Sequence, residues 1–286
     1  MSRLATASQG DRSLAAASHG APRLLFRVAL VAALTVALVF LTLPVVAIFV
    51  DVPPRRLVSS LGDAAALDAL RLSLETSAIA LAVIVIVGTP AAYWLATRRF
   101  RGRELLVTMI ELPLVVPPAA AGIGLLAALG PHGILGSWLD GLGVSVVLET
   151  SGVVVALIFV ASPFYLRQAQ AGFAAVDPTL IAAARTLGAS EARAFARVAV
   201  PVAGGALAAG ASLAWARAVG EFGATLVFAG SLRGVTQTAP LAILDRFSTD
   251  LPGALALAAV LVATSAALLL SIKLATRGRG HADAEL

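Results

Sequence analysis

No cysteine occurs anywhere in the 286 residues. Disulfides and thiolate-held metals are therefore excluded, and the redox compartment leaves no trace. Charge is scarce too, at 13% of residues, against about 25% in an ordinary soluble domain. The shortage extends over most of the chain, so one buried core helix does not account for it. Histidine is nearly absent, and His19, His132 and His281 all fall outside the apolar runs. A histidine-ligated metal inside those runs is thereby disfavoured. No G-x-x-x-x-G-K-[ST] phosphate loop is present, so the chain does not bind ATP in that way. G-x-S-x-G is absent as well, and the long apolar stretches carry neither a histidine base nor paired acids. An intramembrane hydrolase would need such groups at matching depth.

What is present is apolar length. Hydrophobic residues make up 59% of the chain, in long unbroken stretches. A membrane-spanning segment must satisfy its own backbone hydrogen bonds, which leaves helices or closed barrels. Barrel strands alternate apolar and polar residues over about ten positions, and these stretches do not. The expected fold is therefore all-α, a polytopic membrane protein of about six transmembrane helices. Their expected positions are Val28–Val50, Ser73–Ala96, Leu105–Leu129, Ser151–Gln170, Val202–Phe228 and Ala254–Ile272. The first is too long for a secretory signal, whose apolar part is about 7–15 residues. Residues 1–24 read as a disordered cytoplasmic tail, 25–276 as the transmembrane domain and 277–286 as a second short tail.

Arginine and lysine set the orientation, because cytoplasmic connections are enriched in them. One side collects Arg3, Arg12, Arg23, Arg27, Arg98, Arg99, Arg101, Arg103, Arg167, Arg185, Arg193, Arg197, Lys273, Arg277 and Arg279. The other side has only Arg55, Arg56, Arg71, Arg233 and Arg246, and Arg217 lies within a span. Both termini are then cytoplasmic. The same distribution explains the net charge of +5 without nucleic acid.

Two spans carry unusual polar or helix-breaking residues. Pro113, Pro117 and Pro118 must distort the third span, since proline lacks a donor and disfavours helix before it. A static kink is expected there, and another at Gly88-Thr89-Pro90 in the second span. Glu111 reads as an interfacial acid reaching the headgroups. In the fifth span Arg217 and Glu221 stand four residues apart on one helix face, with Thr225 and Phe228 continuing it. Charges within a span face other helices or a watery path. Two readings stay open for this face. It lines or gates a translocation path, or the ion pair only fixes helix packing.

Residues 171–201 form a long connection on the cytoplasmic side. Asp177 suits an N-cap and Pro178 the first helical position. Leu180, Ile181, Ala184 and Leu187 follow helical spacing. Gly188 suits a left-handed helix stop, and Ser190 with Glu191 suits a second helix start, whose apolar side is Ala192, Phe195 and Val198 or Ala199. A helix–elbow–helix over about 177–199 is expected. Physical chemistry alone leaves it resting on lipid or docking on a partner.

This segment, AAARTLGASEARAFARVAVP (Ala182–Pro201), resembles the EAA loop of ABC-importer permeases. The family pattern is E-A-A, three residues, G, nine residues, I, one residue, L-P. Ala183, Ala184, Gly188 and Pro201 match it, and Val198 and Val200 replace Ile and Leu. Ala182 stands where the family has Glu. The runs GEFGATLVFAG (Gly220–Gly230), TQTAPLAI (Thr236–Ile243) and ELPLVVPPAAAGIGLL (Glu111–Leu126) resemble the molybdate or tungstate type of that family. Sulfate permeases share the E-F-G part. The likeness covers roughly residues 70–275.

The resemblance implies a type I ABC-importer permease, multi-pass in a prokaryotic cell membrane. It implies a homodimeric pore, two cytoplasmic ATPases and an extracytoplasmic oxyanion-binding protein. ATP and magnesium would be used by the ATPase, with no cofactor, metal or catalytic residue on this chain. Ala182, Ala183, Ala184, Leu187, Gly188, Phe195, Val198 and Pro201 would couple to the ATPase, and Arg217, Glu221 and Thr225 would line or gate the path. A secondary transporter is the rival class. It would show internal repeats that are absent here and would leave the cytoplasmic segment unexplained.

Overall fold

The computed structural model describes residues 20–53, 55 and 62–282, with side chains for 26–53, 55 and 62–271. The tail through residue 19, Arg56 and the last four residues lie outside the described residues. All regular structure among the described residues is helical. The chain divides into two units, residues 1–52 and 53–286.

The first unit is the helix α1 (Gly20–Val50). Its Thr35 and Thr42 hydroxyls donate to the carbonyls of Val31 and Leu38, at 2.9 and 2.7 Å. Hydroxyls that bond their own helix need no water, as lipid requires.

The second unit begins with α2 (Ala64–Thr97), capped by the Asp63 carboxylate on the Ala65 amide. Its 34 residues reach about 51 Å, longer than a hydrocarbon core of about 30 Å. Next come α3 (Arg103–Val115) and α4 (Pro118–Leu129), then the short α5 (Gly136–Gly141) and the long α6 (Thr150–Ala174). The cytoplasmic connection holds α7 (Pro178–Thr186) and α8 (Glu191–Ala194), with a π-helical turn at Phe195–Ala199. Finally α9 (Gly204–Val219), α10 (Gly223–Ala229), α11 (Ala239–Phe247) and α12 (Leu251–Ala282) complete the unit.

Among the described residues four helices are long and apolar enough to cross a membrane, and six spans result if two bent pairs each count as one. Helix α6 is the central post. Its Val153, Leu157, Ala161, Tyr165 and Ala169 are buried with Ala80, Ile84 and Ala92 of α2 and with Ala214 and Ala218 of α9. Alanine at most of these crossings lets backbones approach closely, where packing rather than water exclusion drives association in lipid. Pro90 does not break α2. The Thr89 hydroxyl donates to the Val85 carbonyl at 2.5 Å and takes the Tyr165 hydroxyl at 2.6 Å, tying α2 to α6.

Two expectations about spans are corrected. The third span is not one kinked helix: α3 and α4 bend by 117°. Val116 and Pro117 are extended there, because Pro117 and Pro118 remove two donors and push the preceding residues out of the helical region. The fifth span is not continuous either. Helix α9 stops at Val219, and Gly220–Phe222 intervene before α10.

The contacts between connections sort by side. Arg98, after α2, pairs with Glu191 before α9, so the second and fourth connections share a face. Asp63 pairs with Arg246, and the Thr150 hydroxyl donates to the Val235 carbonyl at 2.8 Å. The odd connections therefore meet one another and the even ones do likewise. The connections therefore alternate in side, as the arginine distribution does.

Candidate functional site

The cytoplasmic connection is built by local rules. The Asp177 carboxylate accepts the Thr179 amide at 2.8 Å, and Pro178 takes the first helical position. That amide holds the Asp177 carboxyl below its ordinary range. At the other end of α7 the Gly188 amide donates to Arg185 and the Ala189 amide to Ala184, at 2.9 and 3.0 Å. This is a Schellman stop, and Gly188 supplies its left-handed residue at φ +86°. Ser190 then accepts the Arg193 amide at 3.3 Å and starts α8.

Phe195 anchors the far side. Its ring lies 4.8 Å from Tyr93 of α2 and 6.1 Å from Phe173 of α6, and those two meet edge-on at 5.3 Å. Val198 is half-buried, Ala199 is buried, and Pro201 and Ala192 are exposed. Pro201 has no amide to give, and the ladder there passes through a π turn before a 73° bend into α9. The expected apolar face of α7 divides. Ile181 and Ala184 are half-buried, whereas Leu180, Ala182 and Ala183 are exposed and Leu187 is 88% exposed. The result is a rigid elbow that presents an apolar tip.

The second region is the pair of broken spans. Glu221 sits just past the end of α9 with its side chain 1% exposed. One carboxylate oxygen accepts the Ala224 amide at 2.7 Å, and the other pairs with Arg217. The predicted pair thus forms, but across a helix break instead of along a face. Thr225 and Phe228 are fully buried on α10, and the Thr225 hydroxyl has no partner among the described residues. Helix α10 packs on α4. A Cβ at Gly122 would lie 2.7 Å from Val227 Cβ and 2.8 Å from the Ala224 carbonyl, so only glycine permits this crossing. Two runs about a hundred residues apart, PPAAAG and GEFGAT, are therefore one structural unit.

The TQT run is buried at Thr236, Gln237 and Thr238. Its Ala239 amide donates to Ser73 of α2 at 2.7 Å. Glu111, read as an interfacial acid, has an ion-pair partner. It pairs with Arg167 of α6 at 2.5 Å. Several partners had no signal in the sequence: Arg98 with Glu191, Asp63 with Arg246, and Ser73 with Ala239. Each joins residues far apart in the chain, and only charge sign offered a hint for the first two. Arg246 holds the Asp63 carboxyl below its ordinary value.

Residues 85–277 match the family described as "Binding-protein-dependent transport system inner membrane component". The chain belongs to that family. It is thus the inner-membrane, permease component of such a system. It is 39% identical over 237 residues to the molybdenum transport system permease protein of Mycobacterium tuberculosis, covering 82% of this chain and 89% of that one. A molybdate/tungstate permease of Thermococcus kodakarensis is 35% identical, covering 75% and 81%. A sulfate permease of Synechocystis is 32% identical, covering 84% and 88%. Among solved structures, a bacterial ABC transporter that imports alginate shares the fold, with a TM-score of 0.70 at 15% identity over 88% of this chain and 95% of that one.

Proposed function

We infer that this permease is the pore subunit of an ATP-driven importer for a tetrahedral oxyanion, molybdate or tungstate. The observation that carries this reading is the 39% identity to a molybdenum permease over 82% of the chain. Two copies of the chain form the pore, and two ABC ATPases dock beneath it. An extracytoplasmic binding protein delivers the anion. ATP and magnesium are bound by the ATPases, and this chain supplies no catalytic group.

The elbow centred on Leu187 and Gly188 is the element that meets the ATPase. Its exposed apolar tip, with Ala182 and Ala183 alongside, suits burial in a groove. The anchor at Phe195 transmits displacement of the tip to α2 and α6, and the π turn, Val198 and Pro201 pass it to α9. Ala182 removes one acid from the usual pattern, so binding at the tip depends more on apolar contact than on a carboxylate.

Arg217, with 27% of its side chain exposed, presents positive charge beside the break in the fifth span. Glu221 neutralises much of it. A path needs an anion to enter and also to leave, so a partly cancelled charge suits transit better than a naked one. Thr225 is fully buried beside this pair, and its unpartnered hydroxyl would reach the path only as the break rearranges.

The test is ATP-dependent uptake into proteoliposomes holding this chain, its ATPase and its binding protein. Molybdate, tungstate and sulfate are compared as cargo. Uptake of molybdate or tungstate that Leu187→Asp abolishes is the expected result. Arg217→Gln should lower uptake while ATPase stimulation persists. The 32% identity to a sulfate permease makes sulfate the rival cargo, and preferential sulfate uptake would decide for it. Uptake without any ATPase would overturn the reading.

A further inference from the structure

The cytoplasmic end of α2 carries more arginine than its ion pairs use. Two adjoining cavities of about 490 and 530 Å³ open there, and both are lined by Ala96, Arg98 and Arg99. The first is closed by Phe100, Gly102, Arg103 and Glu104. The second is walled by Tyr93, Phe173, Ile181 and Arg185. Arg98 is engaged by Glu191 at 2.8 Å and Arg103 by Glu104 at 3.2 Å. Arg99 and Arg185 have no ion-pair partner among the described residues. Two cations thus face a shared opening without a counter-ion.

The depth of this opening is marked. Trp94 is 48% exposed and packs on Phe100 with centroids 4.6 Å apart and the rings tilted by 40°. An exposed tryptophan at the end of a long apolar helix sits at the headgroup level. The connection itself lies on the arginine-rich side, facing the anionic leaflet. The walls of the second cavity are aromatic and aliphatic, which an inorganic ion would leave unused.

We propose that these cavities form a site for an anionic phospholipid of the cytoplasmic leaflet. The phosphate lies between Arg99 and Arg185, and the glycerol and upper acyl chain lie against Tyr93, Phe173 and Ile181. Arg98 and Glu191 close the seam between the α2–α3 loop and α8. The lipid therefore bridges the end of a core helix to the coupling elbow. A zwitterionic lipid would bring its own cation into a site that already holds two.

The full chain is purified in detergent as wild type and as the Arg99→Gln/Arg185→Gln double variant. Both side chains are exposed and make no hydrogen bond or ion pair among the described residues, so folding should be retained. Arg103 is left alone, because its guanidinium donates to the Leu95 carbonyl at 2.9 Å. Retained lipid classes are measured by mass spectrometry, and thermal midpoints are followed on titration with phosphatidylglycerol, phosphatidylcholine or inorganic phosphate. The wild type should keep phosphatidylglycerol selectively and be stabilised by it alone. The variant should bind it roughly thirtyfold more weakly, about fivefold for each cation lost near a charged surface. Equal retention of the two lipids, or an unchanged variant, would overturn the proposal. So would an equal shift with inorganic phosphate, which makes the site a phosphate site. A variant that keeps phosphatidylglycerol but no longer associates with the ATPase would also overturn it and assign the two arginines to the protein partner.

Discussion

The elbow and the paired breaks are both interruptions of helix, yet opposite forces hold them. The elbow is fixed by residues within a few positions of one another: Asp177 on Thr179, Gly188 on Arg185, Ser190 on Arg193. The breaks are fixed by tertiary contact, through Glu221 bridging Arg217 and Ala224, and through α10 seated on Gly122. A locally fixed unit keeps its shape when its surroundings move. It is suited to be pushed as a rigid body. A unit fixed by tertiary contact changes shape when its neighbours shift, and such an element is suited to rearrange in a transport cycle. Force would therefore enter at the rigid piece and be expressed at the conditional one.

Removing the acid of the breaks tests this division most severely. Glu221→Ala strips the partner from a largely buried arginine and uncaps the Ala224 amide. Breaking a buried pair costs about 3–5 kcal/mol, and the 27% exposure of Arg217 sets the expectation at about 3 kcal/mol. A large fall in thermal midpoint by size-exclusion fluorescence is expected, with the elbow's amide exchange unchanged. An elbow that loosened in parallel would show that the two regions are not held independently.

Next in size is crowding at the crossing. In Gly122→Val the new Cβ meets Val227 and the Ala224 carbonyl at contact distances no side chain tolerates. Overpacking of this kind costs about 1–3 kcal/mol. Stability should fall less than for Glu221→Ala, while uptake should fall sharply, because α4 and α10 can no longer pack. Normal uptake by this variant would detach the paired breaks from transport.

The same contrast explains what could be read from the chain. Asp177, Gly188 and Ser190 announce the elbow because each bonds a backbone group two or three residues away, and Pro178 because the first helical position needs no donor. The arginine distribution announces the orientation because it acts through the membrane field and not through a partner. The fifth span hid its break. Arg217 and Glu221 at i, i+4 look like a helical pair, no proline interrupts GEFG, and a buried carboxylate capping its own chain is visible only in three dimensions. In the third span the prolines announced a distortion. They did not announce 117°, since that angle depends on where α10 offers a surface for α4. The partner of Glu111 was hidden for a similar reason: Arg167 lies fifty-six positions away and nothing local links them.

The smallest expected effect belongs to the elbow and turns on the sign of one ionisation. The Thr179 amide lowers the Asp177 carboxyl below its ordinary 3.8, so the folded form favours the ionised acid. A depressed carboxyl contributes its stabilisation fully above the unfolded value and loses it as pH falls through the lowered native value. From pH 5 to 8 the cap is therefore constant. Exchange of amides 179–187, corrected for intrinsic rate, should be flat across that window in the wild type. Asp177→Ala should raise it at every pH, and Asp177→Asn, which keeps the acceptor, should raise it less. Global unfolding should hardly move, because α7 buries no residue fully. A step in protection near neutral pH would mean that another group governs the elbow, and an equal rise in exchange at Glu221 and Ala224 would mean that rigid and conditional parts are one.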